Sequence, residues 1–367
     1  MKVLMIAPKT STFINFRGDL IRDMVKHGCE VVVAVPESGY ETVFEKLGAK
    51  QRLIHLEKNS LSVFGSLSYM TNLKRIMKEE RPDKVFSYTI KPVIFGSLAA
   101  KLAKVPEIYS MVTGLGYLYA VDSAKTKLLR AICGMGYRLA FHFNKRVIFQ
   151  NKDDITDFVK RHYLKREKCC LVDGSGVNLE IFKRNALPED NHFLMVSRVL
   201  KQKGVLEYFE AAKMVKEVEP EAKFTYIGAI DQTSYSVKME QLVPYIEAGI
   251  VEYIPETNDV AKYQSQARFF VLPSYYREGI PRTLLEALAM GRPILTTDTV
   301  GCREAVEDQV NGLFVKPKDA KDLAEKMLWM MRHPEDCIKM GEAGYELCKR
   351  RFDVRIINRE MLSFMEI

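Results

Sequence analysis

Short runs of apolar, often β-branched residues alternate with longer amphipathic segments through most of the chain. Runs such as "KVLMIAP", "CEVVVAVP" and "KVFSYT" predict buried strands, each ending in a polar, Gly or Pro turn. Between them, "FRGDLIRDMVKHG" and "FGSLAAKLAKV" predict helices, the first ending at Gly28. A repeated strand and helix alternation of this kind predicts the α/β class with a parallel sheet.

The alternation restarts after a segment rich in Gly, Pro and Asn, "CCLVDGSGVNLEIFKRNALPEDN". A second series then opens with "HFLMVSRVL" and continues through "ARFFVLPS" and "NGLFVKP". We therefore predict two Rossmann-like domains, residues 1–180 and 181–350, and a C-terminal helix over residues 351–367 that packs near the first domain. Open parallel sheets bind ligands at the carboxyl ends of their strands, so we expect the two sheets to face a cleft that holds the ligand.

Length and composition favour an ordinary globular protein of more than one domain. The chain has 367 residues, of which 47% are apolar and 28% charged. Its seven cysteines are scattered without metal-ligand spacing, which favours reduced thiols and a cytoplasmic location. The apolar run at the amino terminus is short for a signal peptide, and no run approaches the roughly 20 residues that span a bilayer. We therefore expect any membrane contact to be peripheral.

Positive charge is concentrated between residues 125 and 168. This segment contains twelve Lys or Arg residues and four acidic residues, and the resulting excess is as large as the net charge of +8 of the whole chain. One interpretation is a solvated basic face. The other starts from the apolar residues within "KLLRAICGMGYRLAFHF", which favour contact with an anionic membrane surface. We predict no nucleic-acid binding, because the chain has no recognisable module for it.

Two carboxylates flank the start of a predicted helix in "REGIPRTLLEALAMG". Pro281 suits the first helical position, which leaves Glu278 in the loop before it and Glu286 about a turn and a half inside. Backbone N–H groups of Ile280, Arg282 and Thr283 could receive a diphosphate, and the carboxylates could accept hydrogen bonds from hydroxyls on either side. The alternative is that both acids only stabilise the helix start, at about 0.3–1 kcal/mol each.

A pair of cations precedes the next predicted helix upstream. "SRVLKQKG" places Arg198 and Lys203 directly after a predicted strand, and Gly204 loosens the turn. Two cations at this position could neutralise a diphosphate leaving group. Taken alone they could also be an ordinary surface pair, and the carboxylates about 80 residues later favour the phosphate interpretation.

These motifs together resemble the signature of the family 4 glycosyltransferases. "FVLPSYYREGIPRTLLEALAMGRPILTTDTVGCREAVEDQVNGLFV", "SRVLKQKG" and "GSGVNLEIF" occur in the family's order, and the resemblance covers nearly the whole chain. It implies the GT-B fold, transfer with retention of anomeric configuration, a sugar nucleotide as substrate, and no metal or cofactor. It also implies catalytic roles at the sugar and diphosphate for Glu278, Arg198 and Lys203, and donor binding by Gly279, Ile280, Pro281, Arg282, Thr283, Leu284 and Glu286, with Glu286 on the ribose.

The amino-terminal half resembles a bacterial subgroup that builds glycans on undecaprenyl diphosphate. The segments that carry this resemblance are "TSTFINFRGDL", "FSYTIKPVIFGSLAAKLAKVP" and "YSMVTGLGYLY". The resemblance implies a UDP-sugar donor, best N-acetylgalactosamine, a polyprenyl-diphosphate-linked acceptor, and peripheral attachment to the inner face of the cytoplasmic membrane. The acceptor-binding residues that it suggests are Phe16, Arg17, Lys91, Thr113 and Gly114. For Arg17, a solvent-facing helix charge is an equal alternative.

The chain departs from the family's pattern in two places. The loop after the first strand reads "KTSTFINFRG" where many members have a Gly-Gly pair, and Thr89, Ile90 and Lys91 stand where many have a cleft histidine. Other functions stay open at this point: an epimerase acting on nucleotide sugars with the same scaffold, or a non-catalytic module that binds sugar nucleotides or membranes. An NAD-dependent dehydrogenase is disfavoured, because "GLGYLY" lacks the third glycine of a dinucleotide fingerprint.

Overall fold

The computed structural model describes residues 1–54, 63–114, 124–230, 236–257 and 259–367, without the side chains of residues 63, 64, 66 and 125. The chain divides into two compact units. The first contains Met1–Ser175 and Arg355–Ile367, and the second contains Gly176–Val354. Most of the "GLGYLY" segment lies outside the described residues.

The first unit is a parallel sheet with helices on its connections. Within the described residues, seven strands pair in the order β3-β2-β1-β4-β5-β6-β7. They are β1 (Lys2–Ile6), β2 (Glu30–Val35), β3 (Ala49–Leu53), β4 (Lys84–Tyr88), β5 (Glu107–Val112), β6 (Arg146–Phe149) and β7 (Cys169–Leu171). The helices are Thr10–Lys26, Glu41–Lys46, Val63–Glu80, Ile90–Ala103, Ala124–Phe143 and Lys152–Lys160, with a short 3₁₀ turn at Arg166–Lys168.

The second unit repeats this architecture. Its six described strands pair in parallel in the order β10-β9-β8-β11-β12-β13. They are β8 (His192–Val196), β9 (Lys223–Ile227), β10 (Glu252–Ile254), β11 (Phe269–Leu272), β12 (Ile294–Thr297) and β13 (Gly312–Val315). The helices are Val205–Val218, Val243–Glu247, Val260–Gln266, Arg282–Ala289, Cys302–Ala305, Ala320–Arg332 and Pro334–Leu347, with 3₁₀ turns at Lys201–Lys203 and Met239–Gln241 and a π turn at Cys348–Phe352.

The apolar runs of the sequence are the buried strands of both sheets. In β2, Val31, Val32 and Val33 are at most 1% exposed, and the four residues of β11 are all buried. Strands covered on both faces need apolar side chains on both, which is why these runs are continuous rather than alternating. The predicted α/β class with parallel sheets is confirmed.

The last helix, Val354–Phe364, returns to the first unit. Ile357, Met361 and Met365 are fully buried in the same cluster as Val3 and Met5 of β1. The helix is anchored at its polar edge as well, where Asn358 Nδ2 donates to Asp23 Oδ2 at 2.8 Å. The final residues of the chain therefore complete the core that the first residues begin.

Two further features bear on the sequence predictions. All seven cysteines are free thiols. No helix among the described residues is both long enough and apolar enough to cross a bilayer.

Candidate active site

The candidate donor residues follow three neighbouring strands of the second sheet. Arg198 and Lys203 follow β8, Glu278 follows β11, and Gly301 follows β12. The strands are parallel and adjacent, with Phe269 of β11 paired to Phe193 of β8. All three loops therefore leave the same edge of the sheet, where α/β proteins bind ligands.

Two of the three predicted catalytic residues lie near one aromatic ring, and the third contacts one of these two. Lys203 Nζ donates to Glu278 Oε1, and the lysine is only 6% exposed. Arg198 is exposed, and its guanidinium carbon lies 5.9 Å from the centre of the Tyr276 ring, while Lys203 Nζ lies 5.6 Å from it. Tyr276 thus faces both cations, and Ser274 Oγ lies 3.5 Å from Glu278 Oε1. This cluster presents two positive charges and one carboxylate at the strand ends.

Glycine allows the first two loops to pack closely. Gly204 has a φ of +78°, and a Cβ there would lie 2.6 Å from Pro273 Cγ and overlap the Pro273 carbonyl. The backbones are also joined by a hydrogen bond from Tyr275 N to Gln202 O at 2.9 Å. Only a residue without a side chain fits both the backbone angle and the space. The packing fixes where Lys203 meets Glu278.

The third loop holds the glutamate loop from the other side. Gly301 has a φ of +90°, and a Cβ there would lie 2.8 Å from the carbonyl oxygen of Glu278 and overlap that of Gly279. Thr299 Oγ1 donates to the carbonyl of Ser274 at 2.9 Å. The backbone that carries Glu278 is therefore in contact with loops on both neighbouring strands.

The helix Arg282–Ala289 begins beside this loop. Pro281 precedes it with φ −61° and ψ 121°, one position earlier than the sequence suggests, and its carbonyl accepts from Leu284 N at 3.1 Å. Gly279, Ile280 and Pro281 are buried, and the Leu284 side chain is fully buried in the core. Because of this burial, we expect Leu284 to hold the helix in place rather than to present its side chain to a ligand.

Glu286 lies one turn into this helix, in a buried position. Arg282 Nε donates to Glu286 Oε1 at 2.9 Å. Burial raises the pKa of Glu286 to about 7, although the nearby Arg282 opposes the shift. The side chain is therefore a carboxyl group that gains or loses its proton near neutral pH.

The predicted acceptor residues lie in three segments of the first unit. Phe16 is 39% exposed on the first helix. Lys91 is partly buried and follows Thr89, which has φ +70° and ψ 161° after the end of β4. Thr113 and Gly114 are partly buried after β5. Because β4 and β5 are parallel neighbours, Lys91, Thr113 and Gly114 belong to the same edge of the sheet.

Arg17 is buried rather than solvent-facing. It is 2% exposed, with Nη2 at 2.9 Å from Met111 Sδ and Nη1 at 3.6 Å from Met361 Sδ. Its guanidinium carbon lies 6.0 Å from the centre of the Tyr88 ring. The alternative of an exposed helix charge is therefore wrong, and acceptor binding by Arg17 stays a prediction.

Sequence reasoning missed Tyr276, Thr299 and Gly301. The signal available for Tyr276 was the pair of tyrosines in "SYYRE", which follows a predicted strand and carries two phenol hydroxyl groups. Nothing local in "TDTVG" indicated contact with the glutamate loop. Among the described residues, no three His, Cys, Asp or Glu side chains group to hold a metal ion.

Both halves of the chain match known protein families. Residues 177–347 match the family described as glycosyl transferases group 1, and residues 2–151 match the family described as glycosyl transferase 4-like. The N,N'-diacetylbacillosaminyl-diphospho-undecaprenol alpha-1,3-N-acetylgalactosaminyltransferase of Campylobacter jejuni is 32% identical over 341 residues, covering 89% of this chain and 88% of that protein. This chain belongs to the same glycosyltransferase family. The family resemblance seen in the sequence is confirmed.

A second similar protein is also named as a transferase. The Escherichia coli UDP-Gal:alpha-D-GlcNAc-diphosphoundecaprenol alpha-1,3-galactosyltransferase is 26% identical, over 71% of this chain and 69% of that protein. Both curated relatives are named as transferases, which does not favour the epimerase or the non-catalytic module.

Solved structures share the fold of the glycosyltransferase over its whole length. The sucrose-phosphate synthase of Thermosynechococcus elongatus has a TM-score of 0.81 at 18% identity, covering 100% of this chain and 98% of that one. Anabaena Alr3699/HepE, solved in complex with UDP, has a TM-score of 0.79 at 15% identity, covering 100% of both chains. These likenesses confirm the predicted GT-B fold class.

Proposed function

We propose that this glycosyltransferase moves N-acetylgalactosamine from UDP to a saccharide carried on undecaprenyl diphosphate, with retention of anomeric configuration. The observation that carries the proposal is the meeting of Arg198, Lys203 and Glu278 around Tyr276 at the strand ends of the second sheet. Two cations beside one carboxylate suit a ligand that joins a diphosphate to a sugar.

In this proposal, Arg198 and Lys203 bind the donor diphosphate. Arg198 is exposed and can reach a ligand directly, whereas Lys203 is held in place by Glu278. As the bond to the sugar breaks, negative charge grows on the diphosphate, and fixed cations stabilise that charge more than they stabilise the intact donor. This difference lowers the barrier to transfer.

The helix start and the two glutamates bind the rest of the donor. The first N–H groups of a helix have no acceptor within the helix, so those of Arg282 and Thr283 suit the diphosphate, together with that of Ile280 in the preceding loop. Glu278 accepts hydrogen bonds from sugar hydroxyls, and Glu286 accepts them from the ribose. The buried backbone of Gly279, Pro281 and Leu284 holds these groups in position.

Phe16, Lys91, Thr113 and Gly114 bind the acceptor in this proposal. Lys91 contributes the charge that suits the diphosphate of the lipid carrier, while Thr113 and Gly114 line the strand end beside it. In this proposal, Arg17 stabilises the strand end that carries Thr113 and Gly114, through its contact with Met111 near the end of β5. The lipid carrier places the enzyme at the inner face of the cytoplasmic membrane, where it is peripherally bound.

The chemistry proceeds by attack of the acceptor hydroxyl on the face from which UDP leaves. The acceptor oxygen forms the new bond to the anomeric carbon, the bond to the diphosphate oxygen breaks, and that departing oxygen takes the acceptor proton. No protein nucleophile, cofactor or metal is required in this scheme. UDP is preferred to GDP because the E. coli relative is named for a UDP-linked donor.

The test measures nucleotide release from a panel of UDP- and GDP-sugars in EDTA, with and without a lipid extract containing undecaprenyl-diphosphate-linked saccharides. We expect UDP release that requires both UDP-N-acetylgalactosamine and the extract. An isomerised nucleotide sugar without the extract would instead indicate an epimerase, and UDP release without the extract would indicate a hydrolase. Donor binding without turnover would indicate a non-catalytic module. If UDP release required a different donor, the transferred sugar would be the one that this donor carries.

A further inference from the structure

One helix of the first unit carries a continuous apolar stripe on its outer face. In the helix Ala124–Phe143, the exposed fractions are 63% for Leu128, 51% for Ile132, 67% for Met135 and 51% for Leu139. Spacings of four, three and four residues put these side chains on one side of an α-helix, along about 16 Å. Scattered exposed apolar residues are ordinary, but four in one line are the mark of an interaction surface.

The other sides of this helix are packed so tightly against the first unit that the stripe has a fixed direction. A Cβ at Gly134 would lie 2.7 Å from Tyr163 Cε1, and one at Gly136 would lie 2.8 Å from Ile94 Cδ1. Tyr137 is 4% exposed, and its ring stacks on Phe141 with centroids 5.2 Å apart. Turning the stripe inward would require these contacts to break. We therefore expect its four side chains to stay exposed on the surface of the protein.

Basic side chains lie beside the stripe. The helix Ala124–Phe143 contains four Lys or Arg residues and no Asp or Glu, and the side chains of Lys127 and Arg138 are exposed. Tyr163, which packs against Gly134, belongs to the segment "KRHYLKR", whose Lys160 is also exposed. An apolar line bordered by cations is complementary to a surface with acidic head groups over a hydrocarbon layer.

We infer that this stripe, Leu128, Ile132, Met135 and Leu139, is the surface by which the protein lies on an anionic bilayer. The helix runs parallel to the membrane plane, with its four apolar side chains among the acyl chains and its cations at the lipid phosphates. A second copy of the chain is the less suitable occupant, because pairing two such faces brings like charges together. The inference rests on the proposed function in one respect, since a lipid-linked acceptor gives the surface its purpose.

The test is co-sedimentation of the full chain with vesicles. Vesicles of phosphatidylcholine alone are compared with vesicles that contain 30% phosphatidylglycerol, about the proportion that makes a surface strongly anionic. The variant Ile132→Gln with Met135→Gln removes the centre of the stripe while keeping good helix formers. The matched control, Leu67→Gln with Leu102→Gln, changes two leucines of the same unit that are 50% and 52% exposed and lie on other helices.

We expect the wild type and the control to bind anionic vesicles, and the stripe variant to bind at least about tenfold more weakly, because two side chains lose their apolar contact. Binding should also weaken as salt rises from 0.1 to 0.5 M, as about a halving of the Debye length requires. Equal binding by the stripe variant and the control would overturn the inference. Loss of a dimer in the stripe variant, without any vesicle binding by the wild type, would assign the stripe to a second copy.

A second measurement separates this inference from the proposed function. With a water-soluble, short-chain analogue of the lipid-linked acceptor, the stripe variant should turn over within about twofold of the wild type, because the active site is unchanged. Vesicle binding without any transfer would leave the surface intact and refute the function. Normal transfer to the soluble analogue without vesicle binding would refute the surface and leave the function intact.

Discussion

The candidate charged side chains of the two units have different surroundings. In the second unit, Lys203 contacts Glu278 and Arg282 contacts Glu286, so both of these cations have a nearby carboxylate. In the first unit, Arg17 of the first helix is buried and contacts the sulfur atoms of two methionines. The comparison suggests that the second unit is preorganised for a charged, hydrogen-bonding ligand. The first unit uses one of its charges within its own core.

The difference has a physical reason. Lys203 and Glu278 of the second unit belong to two short loops that contact each other through Gly204, and a third loop contacts the glutamate loop through Gly301, so their positions are fixed before a ligand arrives. The acceptor residues of the first unit come from a helix and two strand ends. A lipid-borne acceptor gains part of its binding from the membrane, which reduces the need for such fixed charges.

Lys203→Ala should have the largest effect and would break the charged cluster of the second unit. We expect kcat/KM to fall roughly 10²–10³-fold, because a cation that stabilises the departing diphosphate is lost. Steady-state kinetics with the identified donor measure this. The control is Lys201→Ala, an exposed lysine of the same 3₁₀ turn, which should stay within about twofold of wild type. Near-normal turnover in Lys203→Ala would remove this lysine from the mechanism.

Gly301→Ala tests whether the glutamate loop must be held by its neighbour. The added Cβ overlaps the Gly279 carbonyl, so we expect the loop that carries Glu278 to shift and kcat to fall about 10–100-fold. Gly249→Ala is the matched control, because Gly249 also has a positive φ, +65°, but open space around its missing side chain. The control isolates backbone strain, about 1–2 kcal/mol, from displacement of the loop. Equal losses of activity in both variants would attribute the effect to strain alone.

Glu286→Gln tests the buried carboxyl group through pH. Its pKa in the folded protein is raised to about 7 from an ordinary 4.5, so the stability that the protonated form provides is complete below about pH 4.5 and lost as pH rises through 7. The Gln variant lacks this loss. Relative to the wild type, we expect it to gain about 2 kcal/mol of unfolding free energy between pH 5 and pH 8. Chemical denaturation at both pH values measures the gain, and a pH-independent difference would contradict the shifted pKa.

The same variant tests the ribose role. An ionised carboxylate accepts hydroxyl hydrogen bonds more strongly than a neutral acid, so wild-type affinity for the UDP-sugar should rise between pH 6 and pH 8. In Glu286→Gln, affinity should be lower at pH 8 and nearly constant with pH. Calorimetry with a UDP-sugar rather than UDP avoids titration of a terminal phosphate, whose second pKa lies near 6. A rise of equal size in both proteins would exclude Glu286 as its cause.

Arg17→Met should have the smallest effect on activity, and it tests the comparison of the two units at a charged residue of the first unit. Met keeps much of the length and apolar surface of the side chain and removes its charge. Because Arg17 is only 2% exposed, we expect an acceptor KM within about threefold of wild type. A rise of about tenfold in acceptor KM, with donor affinity unchanged, would show instead that Arg17 reaches the acceptor diphosphate.

The fold and the charged residues of the donor site were accessible from the sequence because their signals are local. Continuous apolar runs predict strands covered on both faces, and the loop motifs place Arg198, Lys203 and Glu278 at strand ends without reference to distant residues. The position of Pro281 differs by one residue, since helix ends depend on the geometry of the neighbouring loop.

The remaining features depend on contacts between distant segments. Arg17 is buried because Met361, 344 residues later, covers it. Gly301 matters because its backbone passes the carbonyls of Glu278 and Gly279, and no periodicity or composition indicates that approach. Tyr276 acquires its role only because two cations from another loop lie near its ring. Such relations are properties of the tertiary structure, which local patterns do not specify.

The return of the last helix to the first unit has a consequence for biosynthesis. Ile357, Met361, Leu362 and Met365 complete a core whose other buried residues precede position 176, so a nascent chain has exposed apolar surface on its first unit until these residues have been synthesised. At about 5–20 residues per second, the intervening segment takes roughly 10–40 s to synthesise. The second unit can fold during that interval, whereas the first cannot close its core until the helix Val354–Phe364 has left the ribosome. Truncation by a premature stop codon near residue 350 would thus leave the first unit open to proteolysis even though all seven of its described strands had been made.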